Sequence, residues 1–187
     1  MPRASGADAA RHHEQMVRAD SRLYRERGVG SVNAADVMGE IGLTRGGFHK
    51  HFESKAALVA AAVTATFDEH LERLDGMAGE HAGDPVGTRA AFVDFCLSPA
   101  HRDDPAHGCP SALATAMGRA EHEGAPRAAF TEGVRALLRE LADTATGDGL
   151  DPGESEQRNL ADLSTVVGAL LLSRATAGDP ISDAVLV

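Results

Sequence analysis

Two short segments of helical apolar spacing meet at Ile41-Gly42-Leu43-Thr44, and this junction constrains the fold more than any other stretch. Asn33 is a good N-cap, and Asp36, three residues on, completes a capping-box-like pair. Val37, Met38 and Ile41 follow at helical spacing, and Gly42 ends that helix. Thr44 is placed to cap a third short helix running to about His51 and to present N–H groups to a phosphate. Gly42 lets the backbone turn sharply, and Leu43 is expected to plug the space between the helices. A Gly-containing turn of about three or four residues between short helices is the helix-turn-helix pattern.

The segment after the turn, Thr44-Arg45-Gly46-Gly47-Phe48-His49-Lys50-His51-Phe52, holds two adjacent glycines. Each costs about 0.8–1.0 kcal/mol relative to Ala inside a helix. Glycines there suit a backbone that must lie close to another surface. Arg45, His49, Lys50 and His51 gather positive or proton-accepting groups on the same element.

Charge points to the same region. The net charge is −10, but residues 1–58 hold nine Lys/Arg against seven Asp/Glu, and residues 59–187 hold nine against twenty-one. The N-terminal third is therefore the part that can approach phosphate, while the acidic remainder favours solubility.

The rest of the chain reads as all-α. One Tyr, six Phe and no Trp leave a core built mostly of Ala, Leu and Val, and no alternating β-branched run is bounded by hairpin signals. Residues 1–9 are small and polar and are expected to be disordered. A first helix is predicted over 10–27, with Met16, Ala19, Leu23 and Tyr24 on one face and Gly28 as its stop. Ser54 caps a long helix carrying Leu58, Val63, Phe67, Leu71 and Leu74. Gly83-Asp84-Pro85 breaks the chain before a helix with Ala91, Phe92, Phe95 and Cys96 inward. Residues 98–108 are expected as a loop, 110–122 as a helix, and 126–146 as a helix bearing Phe130, Val134, Leu137, Leu138 and Leu141. A linker over 147–153 leads to a last helix over 154–177, where Leu160, Leu163, Val167, Leu170 and Arg174 follow heptad-like spacing.

The stretch from Asp36 to Leu58, extending back to Met16 and Gly28, closely resembles the DNA-binding region of the tetracycline-repressor (TetR) family of bacterial regulators. Gly108-Cys109-Pro110, the run from Gly168 to Ala175, and Asp179-Pro-Ile-Ser-Asp183 resemble one branch of that family. The resemblance implies an N-terminal three-helix helix-turn-helix unit, 1–53, and a helical ligand-binding and dimerisation domain, 54–187. It implies that Thr44, Arg45, Gly46, His49 and Lys50 face operator DNA and that Lys55 meets phosphate. The family commonly has Tyr in place of His49, and both groups can donate to phosphate. Asp20 stands where the family usually has a small apolar residue, and it is expected at the edge of the helix packing. The chain is then a homodimeric repressor released from its operator by a small-molecule effector. Phe67, Phe92, Phe95, Met117 and Phe130 make a core that can also wall an apolar ligand cavity. Dimerisation is expected through the helices over 126–146 and 154–177, packed as a four-helix bundle.

Cys109 at a predicted helix start offers a different control, since a helix N-terminus favours the thiolate. It is thus either a thiol-based redox or electrophile sensor or a small buried hydrophobe. Cys96, His101, His107 and Cys109 match no tight zinc spacing, so no metal or cofactor is expected. An all-α enzyme is the weaker alternative, without nucleophile elbow, phosphate loop or paired-histidine helix. His12-His13 read as a solvated first turn. No h-region and no run of about 18 apolar residues occurs, so a cytoplasmic chain without a membrane span is expected.

Overall fold

Helices account for every regular element among the described residues. The structure, a computed structural model, describes residues 6–143 and 151–186, and for Arg45 and Pro152 the backbone alone. The expected end of the helix over 126–146, from residue 144, and residues 147–150 of the linker expected over 147–153 lie outside the described residues, while the last part of that linker is already helical from Pro152, capped by Asp151.

Helix α1, Gly6–Arg27, starts four residues earlier than its apolar stripe suggested. Asp8 in its first turn and Arg25 and Arg27 in its last complement the helix dipole. Gly28 ends it at φ +80°, where its N–H meets the Tyr24 carbonyl at 2.9 Å. Helix α2, Ala34–Glu40, has the expected capping box: the Asn33 side chain accepts from the Ala35 N–H at 2.8 Å, and Asp36 accepts from the Asn33 N–H at 2.8 Å. Gly42 turns the chain at φ +71°, a backbone that side chains with a Cβ rarely adopt.

The segment after the turn is a 3-10 helix, Arg45–Lys50, where an α-helix was predicted. Thr44 makes no side-chain capping bond, contrary to expectation, so nothing draws the first turn into α geometry. The Gly47 N–H instead bonds the Thr44 carbonyl at 3.0 Å. Two adjacent glycines weaken the α form by about 2 kcal/mol together. Burial of Phe48 and Phe52, 5% and 6% exposed, outweighs that at about 1.5–3 kcal/mol each and anchors the segment.

Helix α3, Lys55–Glu80, is capped by Ser54, whose hydroxyl accepts from the Ala57 N–H at 3.1 Å. Its 26 residues span about 39 Å at 1.5 Å per residue. Helix α4, Pro85–Cys96, begins at the expected break. The expected loop over 98–108 contains α5, Pro99–Asp103, and a 3-10 turn, Pro105–His107. Ser98-Pro99 is a cap followed by a first-turn proline, a helix start that composition alone reads as loop. The helix predicted over 110–122 divides into α6, Ser111–Met117, and a 3-10 turn, Ala120–His122, because Gly118 interrupts it. Helices α7, Ala125–Asp143, α8, Pro152–Ala175, and α9, Ile181–Ala184, complete the described chain.

One apolar core joins α1, α2, the 3-10 segment, the first half of α3, Leu113 and Met117 of α6, and the near face of α7. A second gathers Leu74, Phe92, Cys96, Leu137, Leu141 and Val166. Helix α3 runs through both. It lies so close to α7 that a Cβ on Gly133 would meet the Phe67 ring at 2.2 Å.

The apolar stripe of α8 splits. Val166 and Leu170 face inward, while Leu160 and Leu172 stay exposed at 44% and 59%. On α7, Leu137 and Leu141 are consumed by the core.

Candidate nucleic-acid interface and effector cleft

Thr44, Gly46, His49, Lys50 and Lys55 are all exposed. The Arg45 side chain lies outside the described residues. Phe48 and Phe52 point the other way, so the 3-10 segment keeps its apolar residues inward and its polar ones on the surface. The two glycines differ. Gly46 has open space where a Cβ would stand, whereas a Cβ on Gly47 would approach the Met38 methyl at 3.2 Å. Gly47 therefore serves the fold of the turn, and Gly46 leaves an uncovered backbone at the surface.

His12 and His13 are not simply solvated. The His13 ring stacks on Phe52 with centroids 4.4 Å apart, and His12 meets His51 edge-on at 6.0 Å. Burial first, then His12, His13 and Lys50, hold the His51 ring below the usual imidazole range. The pattern search missed these contacts because the partners are some forty residues apart in sequence.

Asp20 is fully buried rather than at the packing edge. Neither carboxylate oxygen makes a well-aligned hydrogen bond within the protein. Burial pushes its acid up to about 7, eased by the nearby Tyr24 phenol and by Lys55. Next to it, the Thr66 hydroxyl donates to the Ala62 carbonyl at 2.8 Å and accepts from Ser21 at 2.9 Å, joining α1 to α3.

A cleft of about 190 Å³ opens between α3, α6, α7 and α8. Phe67, Cys109, Ala114, Phe130, Val134 and Val167 contribute to its walls, which are almost wholly apolar. Of the five apolar residues expected at a cavity, Phe67 and Phe130 line it, with rings 5.3 Å apart. Met117 is packed in the first core, Phe92 in the second, and Phe95 stacks on His101 at 4.6 Å. A wider groove of about 420 Å³ between α7 and α8 is rimmed by charged Arg135, Arg139 and Glu156, which suits an apolar guest less well.

Cys109 does not have the thiolate environment its helix-start position suggested. It is 5% exposed, and burial raises its thiol pKa despite the Ser111 N–H at 3.4 Å and the nearby Arg174 and Arg25 guanidiniums. Helix α6, seven residues long, supplies too little dipole to outweigh that. Burial likewise raises Cys96. His107 turns outward to Asp104, whereas His101 is buried, so the four groups considered as metal ligands do not converge. Among the described residues no cluster of three His, Cys, Asp or Glu side chains is arranged to hold a metal ion. Among them, too, no helix is long and apolar enough to cross a membrane.

The capped helix α2, the turn at Gly42 and the exposed polar segment over buried Phe48 and Phe52 have the arrangement of a helix-turn-helix. Residues 18–62 match the family profile of bacterial regulatory proteins, tetR family. The chain is 31% identical over 87 residues to the HTH-type transcriptional regulator TtgR of Pseudomonas putida, a stretch covering 46% of this chain and 41% of that protein. It is 25% identical over 72 residues to the uncharacterized HTH-type transcriptional regulator YerO of Bacillus subtilis, covering 38% of this chain and 25% of that protein. The matched stretches thus span less than half the length of these relatives. Among solved structures, reduced NemR of E. coli superposes with a TM-score of 0.77 at 18% identity, covering 94% of this chain and 93% of that one. A TetR-family regulator from Agrobacterium tumefaciens gives 0.77 at 19%, covering 95% and 94%. Residues 18–62 thus match the tetR family in sequence, and the chain as a whole shares its fold with solved TetR-family regulators.

Proposed function

We propose that this chain is a dimeric repressor that reads a palindromic DNA operator and lets go when a small, largely apolar molecule enters the cleft beside Phe67. The observation that carries this reading is the exposed set Thr44, Gly46, His49 and Lys50, held outward by buried Phe48 and Phe52 and followed by exposed Lys55. In the reading, residues 1–53 contact DNA and residues 54–187 bind the effector and the second subunit. Arg45 and Thr44 reach base edges, and Lys50 and Lys55 neutralise phosphates. Two-fold symmetry would set two such surfaces about 34–36 Å apart, one DNA turn. The subunit contact in this reading runs along α7 and α8, where Leu160 and Leu172 are exposed.

Release requires an effector that binds the DNA-incompetent arrangement more tightly. The 190 Å³ cleft and its apolar walls fit a compact neutral molecule. The family carries no enzymatic role into this reading, and regulation through Cys109 thiolate chemistry is the less favoured version because burial disfavours the thiolate.

The test is selection of duplexes from a random-sequence pool, followed by affinity measurement with Lys55→Ala and Arg45→Ala. Lys55→Ala should weaken all duplexes alike and flatten the salt dependence. Arg45→Ala should cost about 1–3 kcal/mol and relax choice at one base pair. A native chain that enriches no duplex would end the proposal.

A further inference from the structure

The segment from His101 to Cys109 lies between the DNA-reading unit and α8, and both hold it by its backbone. Arg25 of α1, 5% exposed, pairs with Glu69 of α3 at 2.8 Å and donates to the Gly108 carbonyl at 3.1 Å. Arg174 of α8 donates to the carbonyls of Arg102 at 3.1 Å and His101 at 2.8 Å. The segment is closed on itself by the Cys109 N–H, which donates to the His101 ring at 2.8 Å. That ring is in turn stacked on Phe95. Gly108 has no room for a side chain: a Cβ would stand 2.9 Å from the Arg174 guanidinium and 3.2 Å from the Asp104 carbonyl.

The Gly108 carbonyl and the Cys109 N–H belong to one peptide group, which is planar and rigid. Arg25 holds one edge of that plane and His101 the other. The next atoms of the chain, Cys109 with Pro110 and Ser111, form a wall of the apolar cleft. A molecule that displaces Cys109 must tilt the plane, and a tilt lengthens the bond to Arg25 or the bond to His101. Arg25 sits in the last turn of α1, three residues before the positive-φ Gly28 that leads to α2.

We propose that the Gly108–Cys109 peptide, gripped by Arg25, is the element that carries occupancy of the cleft to the DNA-reading unit, with Arg25 as the positioning residue. The inference rests on the repressor reading and names the contact through which release would be carried. It places the control on a buried hydrogen bond between α1 and the cleft wall, and it gives Arg174 the task of keeping the far side of the segment still.

The experiment fills the cleft by mutation. Ala114→Phe places a ring where an effector would lie, with Val167→Phe as a second filler should the first not fold. Affinity is measured for the duplex that the native chain selects, in the native background, in Arg25→Met (or Arg25→Leu if the Met variant does not fold) and in Arg25→Lys, which retains a donor. Filling should weaken binding tenfold or more in the native and Arg25→Lys chains and less than twofold once the donor is gone. Equal weakening in all backgrounds overturns the proposal and leaves the repressor reading intact. So does a folded, filled chain that binds DNA as tightly as the native one. A native chain that selects no duplex overturns the repressor reading itself, and this inference with it.

Discussion

Replacing Asp20 by Ala should stabilise the protein, and by an amount that depends on pH. The carboxyl is fully buried, lacks a well-aligned hydrogen bond, and titrates near 7 instead of 3.8. Burial is the main cause, partly relieved by Tyr24 and then Lys55. Because the folded-state pKa is raised, the fold favours the protonated acid, and stability is lost as pH rises from the unfolded value to the folded one. Linkage over that interval gives a penalty of about 4 kcal/mol at pH 8 and under about 2 kcal/mol at pH 5. Ala removes the charge and leaves a small void worth roughly 0.5–1 kcal/mol. The variant should therefore gain about 3 kcal/mol at pH 8 and about 1 kcal/mol or less at pH 5. For a chain of this size that corresponds to a rise in Tm of roughly 6–12 °C at the higher pH. Thermal and urea melts at both pH values, at fixed protein concentration, measure it. An Asp20→Ala chain no more stable than the native one at pH 8, or a gain that does not shrink at pH 5, would refute the reasoning.

Gly133→Ala should destabilise by about 1–3 kcal/mol in a urea melt, because its Cβ would lie 2.2 Å from the Phe67 ring and would push α7 off α3. Gly46→Ala, with open space at its Cβ, should leave stability within about 0.5 kcal/mol and still weaken DNA binding, and an unchanged affinity would show that this backbone does not approach the duplex. Cys96 and Cys109 should label slowly with a thiol reagent in the folded chain and at once in denaturant. Fast labelling of folded Cys109 would restore the thiol-sensor version.

The helical class, the boundaries of α2 and the start of α3 were legible in the sequence, because caps and apolar spacing are local. Asn33 with Asp36, Ser54, and Gly28 and Gly42 each act within one turn of chain. The exposed placement of Thr44, His49 and Lys50 was an expectation drawn from the family resemblance, and burial of Phe48 and Phe52 on the opposite side accounts for it in the structure. The 3-10 form of that segment was not, since it depends on a capping bond that Thr44 does not make in the folded chain. Nor was the fate of charged and reactive side chains. Asp20 and Cys109 owe their raised pKa values to burial by distant elements, and burial is a property of packing. The hold of Arg25 on Gly108 joins residues 83 apart in sequence. Spacing rules reach one helical turn, whereas such a contact exists only once α1, α3 and α8 have come together around the segment between them.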